Sequence, residues 1–261
     1  MVSRLKAKQI RRIVDLAQKG ASIAQIATAT GKRKSTIYYH ARDYCRKMTT
    51  LDLNLLDETE KGYILGLFLG DGSFNKGFKQ RRYVVRFALD FKRDQDIAGR
   101  LTEILKKGNK KISVFQTGST LTAKVCSREL EQYVRVYIDY IPTEEGTTEK
   151  TLFLKSNWSL PFAYGILAGI IDSDGHVHEH LGTEMKTVSL SIFKAILRLL
   201  AMLDISAKTN IVDATSGAFS KKPRYVVYIP SGQMKNHRKE IPSVKIARMH
   251  STDQGKTRKL N

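Results

Sequence analysis

Only two cysteines, Cys45 and Cys126, stand among the 261 residues, and they form no metal-ligand spacing. They are expected to be reduced thiols in an intracellular, cytoplasmic or organellar protein. Long apolar runs are absent too. The two most apolar stretches hold about eight residues before Asp71 and about a dozen before Asp172, against about 20 for a membrane span. The first residues are charged and show no apolar h-region, so no secretory signal is expected. No long amphipathic basic helix is present to lie on an anionic membrane. Acids are scarce: 25 Asp and Glu against 45 Lys and Arg leave a net charge of +20 and a pI of about 9.9. An excess of that size calls for a polyanion, and nucleic acid is the default. The chain is 41% hydrophobic, enough for a sizeable core in one to three domains.

One stretch occurs twice. Tyr63-Ile-Leu-Gly-Leu-Phe-Leu-Gly-Asp71-Gly72 returns as Tyr164-Gly-Ile-Leu-Ala-Gly-Ile-Ile-Asp172-Ser-Asp174-Gly175. Each copy is an apolar run with small residues at i, i+4. They are Gly62, Gly66 and Gly70 in the first, and Gly165, Gly169 and Ser173 in the second. Glycine costs a helix roughly 1 kcal/mol against alanine, so something must offset the stripe. Close approach of two helix backbones would do so, as small-xxx-small packing does elsewhere. The two helices are expected to pack on each other and bring Asp71 and Asp174 side by side. Carboxylates at helix C-termini face the negative end of the dipole and repel each other. Gly72 and Gly175 fit helix C-caps. A pair of acids held against its own electrostatics suggests a divalent metal with open positions for water and phosphate. One copy alone would read more simply as a buried helix before an Asp-Gly turn.

The two stretches resemble the paired motifs of the LAGLIDADG homing endonucleases in their single-chain, two-repeat form. Leu167-Ala-Gly-Ile-Ile-Asp-Ser-Asp-Gly175 follows the pattern almost letter for letter. Ile64-Leu-Gly-Leu-Phe-Leu-Gly-Asp-Gly72 is looser, with Leu69 where the second copy has Asp172. The resemblance implies that Asp71 and Asp174 hold metal, Mg²⁺ with Mn²⁺ as a substitute. The neighbouring Gly70 and Ser173 join the same site. Asp172, two positions away, is read as structural. In the family a basic residue from each half assists near the scissile phosphates. Lys150 and Lys245 each follow an Ile-Pro step and are carried over, with Lys92 as a rival.

Residues 1–50 carry twelve Lys and Arg against Asp15 and Asp43, a net +10, so half the charge sits in a fifth of the chain. Apolar spacing from Ile10 to Ala17 predicts a helix ending at Gly20. Ser22 is a plausible N-cap for a second, with Ile23, Ile26 and Ala27 on one face and Gly31 as the stop. A third begins near Lys34-Ser35. This pattern over 1–48 resembles a helix-turn-helix DNA-binding domain. Lys32, Arg33, Lys34, Ser35, Tyr38, Tyr39 and Arg42 would face DNA, and Ile37 and Ala41 would face inward. Residues Lys47 to Asn54 read as a linker.

The first repeat spans about 55–150 and the second about 151–248, each in the order αββαββα. The predicted fold is α+β, with two pseudo-symmetric repeats, saddle-shaped antiparallel sheets and the small helical unit in front. In the first repeat, alternation puts Ser73, Asn75 and Lys79 on one face, followed by a turn with Arg81 and Arg82. The strand after it buries Val85, Phe87, Leu89 and Phe91 and turns Arg86, Ala88 and Asp90 outward. Helices are expected over Gln95–Lys107 and Glu129–Tyr140, and strands near Lys111–Phe115 and Thr120–Cys126. In the second repeat, His176, His178 and His180 share a strand face. DNA contact or plain exposure is the reading, with a zinc site as an alternative that no Cys or acid pattern supports. Residues Glu184–Leu190, Asn210–Ala214 and Arg224–Pro230 read as strands, Ser191–Leu203 and Gln233–Glu240 as helices, and 249–261 as a disordered basic tail.

The function expected is a monomeric, site-specific, Mg²⁺-dependent double-strand DNA endonuclease. The resemblance adds homing and a product with short 3′ overhangs. No protein-splicing junction residues are seen, which fits a free-standing or intron-encoded enzyme. Two alternatives remain: a DNA-binding regulator that does not cleave, and a maturase acting on host intron RNA. The first has no use for carboxylates beside phosphates. The second lacks the aromatic platform that single-stranded RNA favours.

Overall fold

The computed structural model describes residues 5–19, 21–41, 44, 50–74, 83–142, 148–153, 157–178, 180, 182–213 and 222–249. Arg42, Asn75, Lys79, Arg81, Arg82, the end of the first helix at Gly20 and the tail from 250 lie outside them. The chain divides into two compact units, Met1–Thr50 and Leu51–Asn261.

The first unit contains α1 (Ala7–Gln18), α2 (Ile23–Thr30) and α3 (Lys34–Ala41). Ser22 caps α2, its hydroxyl accepting from the Gln25 amide while Gln25 reaches back, and Gly31 ends the helix at φ 65°. Ile13, Ala17, Ile26, Ile37 and Ala41 close a small core. That leaves Arg33, Lys34, Ser35, Tyr38 and Tyr39 exposed, with Lys32 half-buried.

The second unit opens earlier than the expected linker allows. Leu51 is buried and packs with Leu56 into the main core. Its elements are α4 (Glu58–Asp71), β1 (Gly72–Phe74), β2 (Val84–Asp90), α5 (Gln95–Lys107), β3 (Ser113–Thr117), β4 (Thr120–Cys126), α6 (Arg128–Tyr137), β5 (Ile138–Pro142), β6 (Thr148–Leu152), α7 (Leu160–Asp174), β7 (Gly175–Val177), β8 (Thr183–Thr187), α8 (Leu190–Met202), β9 (Lys208–Val212), β10 (Arg224–Ile229) and α9 (Ser231–His237). Residues 244–249 are also helical. The two four-stranded antiparallel sheets have matching orders, β1-β2-β4-β3 and β7-β8-β10-β9. No helix among the described residues is long and apolar enough to cross a membrane.

Two further assignments from the sequence need correction. The helix expected to reach Tyr140 stops at Tyr137, and Ile138–Pro142 pairs with Thr148–Leu152 as a hairpin. Ile138 is buried while Asp139 is exposed, so period-two burial replaces the helical pattern there. The three histidines do not share one strand. β7 ends at Val177, and His180 lies in the turn after it.

The register defines the open face of each sheet. Ser73, Arg86, Lys124 and Ser113 form a row across the first, and His176, Glu184, Tyr228 and Lys208 form the matching row in the second. Val85, Phe87 and Leu89 point the other way, into the helices, whereas Phe91, expected in the same buried set, is only half-buried in the turn after β2 because the strand ends at Asp90.

Candidate metal and DNA-cleavage site

α4 and α7 are uncommonly apolar on all sides, and they are buried because they pack on each other at the centre of the unit. Their N-termini are set by Asp57 and Ser159, whose side chains accept from the Glu60 and Phe162 amides. The glycine stripe makes the contact. A Cβ on Gly62 would collide with the Phe162 carbonyl oxygen, and one on Gly66 with that of Ile166. On the facing helix, Gly165 is held against the Thr59 carbonyl, and Gly169 against the Leu67 amide and the Tyr63 carbonyl. Every one of these obstacles is backbone, which no rotamer change can move.

The last turns therefore meet. A Cβ on Gly70 would strike the Ser173 hydroxyl and come within 2.7 Å of Asp174 Oδ2. Gly72 and Gly175 are C-caps as expected, but with φ of −81° and −83° they are extended, not left-handed. Glycine is needed there because the chain folds back onto its own helix. A Cβ would collide with Phe68 in one copy and come 2.6 Å from the Ile171 carbonyl oxygen in the other.

Asp71 is half-buried at this junction. Burial pushes its carboxyl up to about 7, and the charges of Asp174 and Asp94 push the same way against Lys245 and Lys150. Asp174 opens to solvent on one side, yet the protein around its other sides also raises its carboxyl, against the pull of Lys150 and Lys245. The two acids thus resist sharing this place as anions.

Both lysines carried over from the resemblance reach the helix ends. Lys150 Nζ donates to the carbonyls of Phe68 (3.0 Å), Leu69 (2.8 Å), Gly70 (2.9 Å) and Gly72 (2.8 Å). Lys245 Nζ donates to those of Ser173 (3.2 Å) and Gly175 (2.8 Å). Each satisfies orphan carbonyls and offsets the negative end of a helix dipole. Burial pulls the Lys150 ammonium down to about 8, opposed by Asp174 and Asp71. Lys92 lies exposed in the turn after β2 and makes no such contact.

The donor set fits a hard divalent cation. It consists of oxygen only: the two carboxylates could hold a cation, whereas the carbonyls of Gly70 and Ser173 expected beside them already accept from Lys150 and Lys245. Among the described residues no three His, Cys, Asp or Glu are grouped to hold a metal. His176 packs edge-on against His178 at 4.7 Å, and His178 against Tyr228 at 6.2 Å. Asp90, placed on the outward face from the sequence, is exposed and accepts from the Lys92 and Arg93 amides.

Sequence reasoning missed Asp94. It is 8% exposed, and its carboxylate accepts from the Asp90 amide at 3.0 Å. With Arg93, Lys245 and Arg248 it lines a cavity of about 530 Å³ beside the end of α7. Nothing in its local sequence marks it, since it joins the site only through the fold of the turn after β2.

No protein-family profile and no curated protein sequence matches the chain. Solved structures do. The homing endonuclease I-DmoI in complex with DNA and Ca is similar at a TM-score of 0.52 and 16% identity, over 72% of this chain and 92% of that one. Its complex with DNA and Mn gives 0.50 and 16%, over 71% and 98%. Mesophilic variants of the same endonuclease give 0.50 and 16%, over 71% and 97%. The chain has the fold of the LAGLIDADG homing endonucleases, with both repeats in one polypeptide.

Proposed function

We propose that the chain is a site-specific double-strand DNA endonuclease of the homing type, acting as a monomer with Mg²⁺, or Mn²⁺ in its place, and leaving short 3′ overhangs. The observation that carries this reading is the convergence of Asp71 and Asp174 at two helix ends packed backbone to backbone, where burial disfavours the charge of both and Asp174 adds to the cost of charging Asp71. A cation held by the two carboxylates would supply positive charge for water activation and for the leaving 3′ oxygen. Lys150 holds the end of α4 and Lys245 the end of α7, and both ammonium groups favour the charged form of the acids. The open faces of the sheets, through Ser73, Arg86, His176 and their row partners, face the duplex and contact phosphates and base edges. The first unit adds a helix-turn-helix contact through Lys34, Ser35, Tyr38 and Tyr39, which its +10 charge favours.

Asp71→Asn and Asp174→Asn test the reading. Asn keeps the shape and one oxygen but loses the charge. Each variant should cut a labelled target duplex slower by about two to three orders of magnitude. Binding in a gel shift should persist or strengthen, because a carboxylate facing phosphate is repulsive without a cation between them. Ca²⁺ in place of Mg²⁺ should permit binding with little cutting. Wild-type cutting rates in both single variants would leave a non-cleaving DNA-binding regulator as the better reading.

A further inference from the structure

Asp172 is fully buried in the last turn of α7, where a carboxylate faces the unfavourable end of its own helix. Four donors offset this. Oδ2 accepts from the Tyr63 hydroxyl at 2.9 Å and the Val244 amide at 2.9 Å. Oδ1 accepts from the Ser243 hydroxyl at 2.6 Å and the Lys245 amide at 3.1 Å. Ser243 Oγ also accepts from the Ile246 amide at 3.2 Å, so the carboxylate sits on the capped start of the helical segment 244–249. Through Tyr63 the same carboxylate grips α4, and the Arg100 guanidinium lies 4.4 Å from the centre of the Tyr63 ring.

The consequence falls on Lys245. Its backbone amide is bonded to Asp172 while its ammonium returns to Ser173 and Gly175, the residues flanking Asp174. The first repeat lacks this device. Leu69 stands at the matching position, and Lys150 arrives at its helix end from β6. We propose that Asp172 is a positioning residue that holds Lys245 at the end of α7, and that it therefore governs hydrolysis of only one of the two DNA strands. The strand-selective part rests on the endonuclease reading above.

Two variants of the full chain test it. Ser243→Ala removes one donor and leaves the carboxylate in place. Asp172→Asn puts an amide where two oxygens accept, and it is the more disruptive of the two. The substrate is a duplex that the wild-type protein selects and cuts from a randomised library, labelled on either strand in turn. Cutting of one strand should slow about ten- to a hundredfold, since small misplacements of a reacting group have effects of that order. The other strand should change by less than about twofold, so nicked duplex accumulates. In parallel, competitive acetylation with acetic anhydride, read by mass spectrometry, should increase at Lys245 relative to Lys150. Equal slowing of both strands would make Asp172 a stabiliser of the fold alone and overturn the proposal. Unchanged acetylation of Lys245 in both variants would overturn it as well. If the wild-type protein cuts no duplex, the endonuclease reading fails first, and the acetylation ratio still decides whether Asp172 holds Lys245.

Discussion

Gly66→Ala adds one carbon where the backbones of α4 and α7 meet. That carbon would collide with the Ile166 carbonyl oxygen and lie 2.9 Å from both Ile166 C and Ile170 N. All three atoms are backbone of α7, so the only relief is separation of the two helices. Alanine gains about 1 kcal/mol of helix propensity over glycine. Overpacking typically costs about 1–3 kcal/mol, and more where nothing can rotate aside. The net effect should be a loss of about 2 kcal/mol or more, because the separation also loosens the apolar side chains on both helices. At about 2–4 °C per kcal/mol for a domain of this size, Tm should fall by roughly 4–8 °C. Gly99→Ala is the matched control. Gly99 is also helical, in α5, and a Cβ there meets nothing within 4 Å. The same substitution should stabilise that position by about 1 kcal/mol and raise Tm by roughly 2–4 °C. The assay is thermal unfolding of both variants by circular dichroism, with cleavage measured alongside. If Gly66→Ala melts at or above the wild type, as Gly99→Ala should, the helices do not meet backbone to backbone and the composite site loses its basis.

Further expectations concern charge. The folded chain retains a proton on Asp71 up to about pH 7, whereas an ordinary carboxyl releases it near 3.8. Folding thus binds a proton across that window, and metal-free stability should fall as pH rises through it. A cation that replaces the proton should reverse the trend. Mg²⁺ should then raise Tm more at about pH 8 than at about pH 5.5, and an equal rise at both would remove Asp71 as a ligand. Deleting residues 1–48 should weaken DNA binding and flatten its salt dependence, by about 0.9 in the log–log slope for each phosphate that this unit neutralises. An unchanged slope would show that the unit does not touch DNA.

Local periodicity made much of the fold legible in the sequence. Gln95–Lys107 and Thr120–Cys126 have the predicted bounds because their patterns of 3.6 and 2 are uninterrupted. Ser22 and Gly31 bound α2 because a hydroxyl cap and a left-handed glycine act within one turn. The duplicated stretch was the strongest signal of all. A glycine stripe costs helix stability, so its presence twice already implied a partner helix, and with it the meeting of Asp71 and Asp174.

What depended on residues distant in sequence was not legible. The β5–β6 hairpin is fixed by cross-strand pairing, and nothing local to Ile138–Tyr140 marks the end of helix at Tyr137. The family resemblance pointed to Lys150 and Lys245, but only the assembled chain brings their ammonium groups onto the unsatisfied carbonyls of α4 and α7. Asp94 becomes part of the site's electrostatics only because the turn after β2 folds beside the helix ends. Asp172 looked like one letter of a motif, and packing gave it four donors from two distant segments. A sequence carries its periodicities wherever it goes, whereas the partners of a buried charge or an orphan carbonyl exist only once the chain has closed around them.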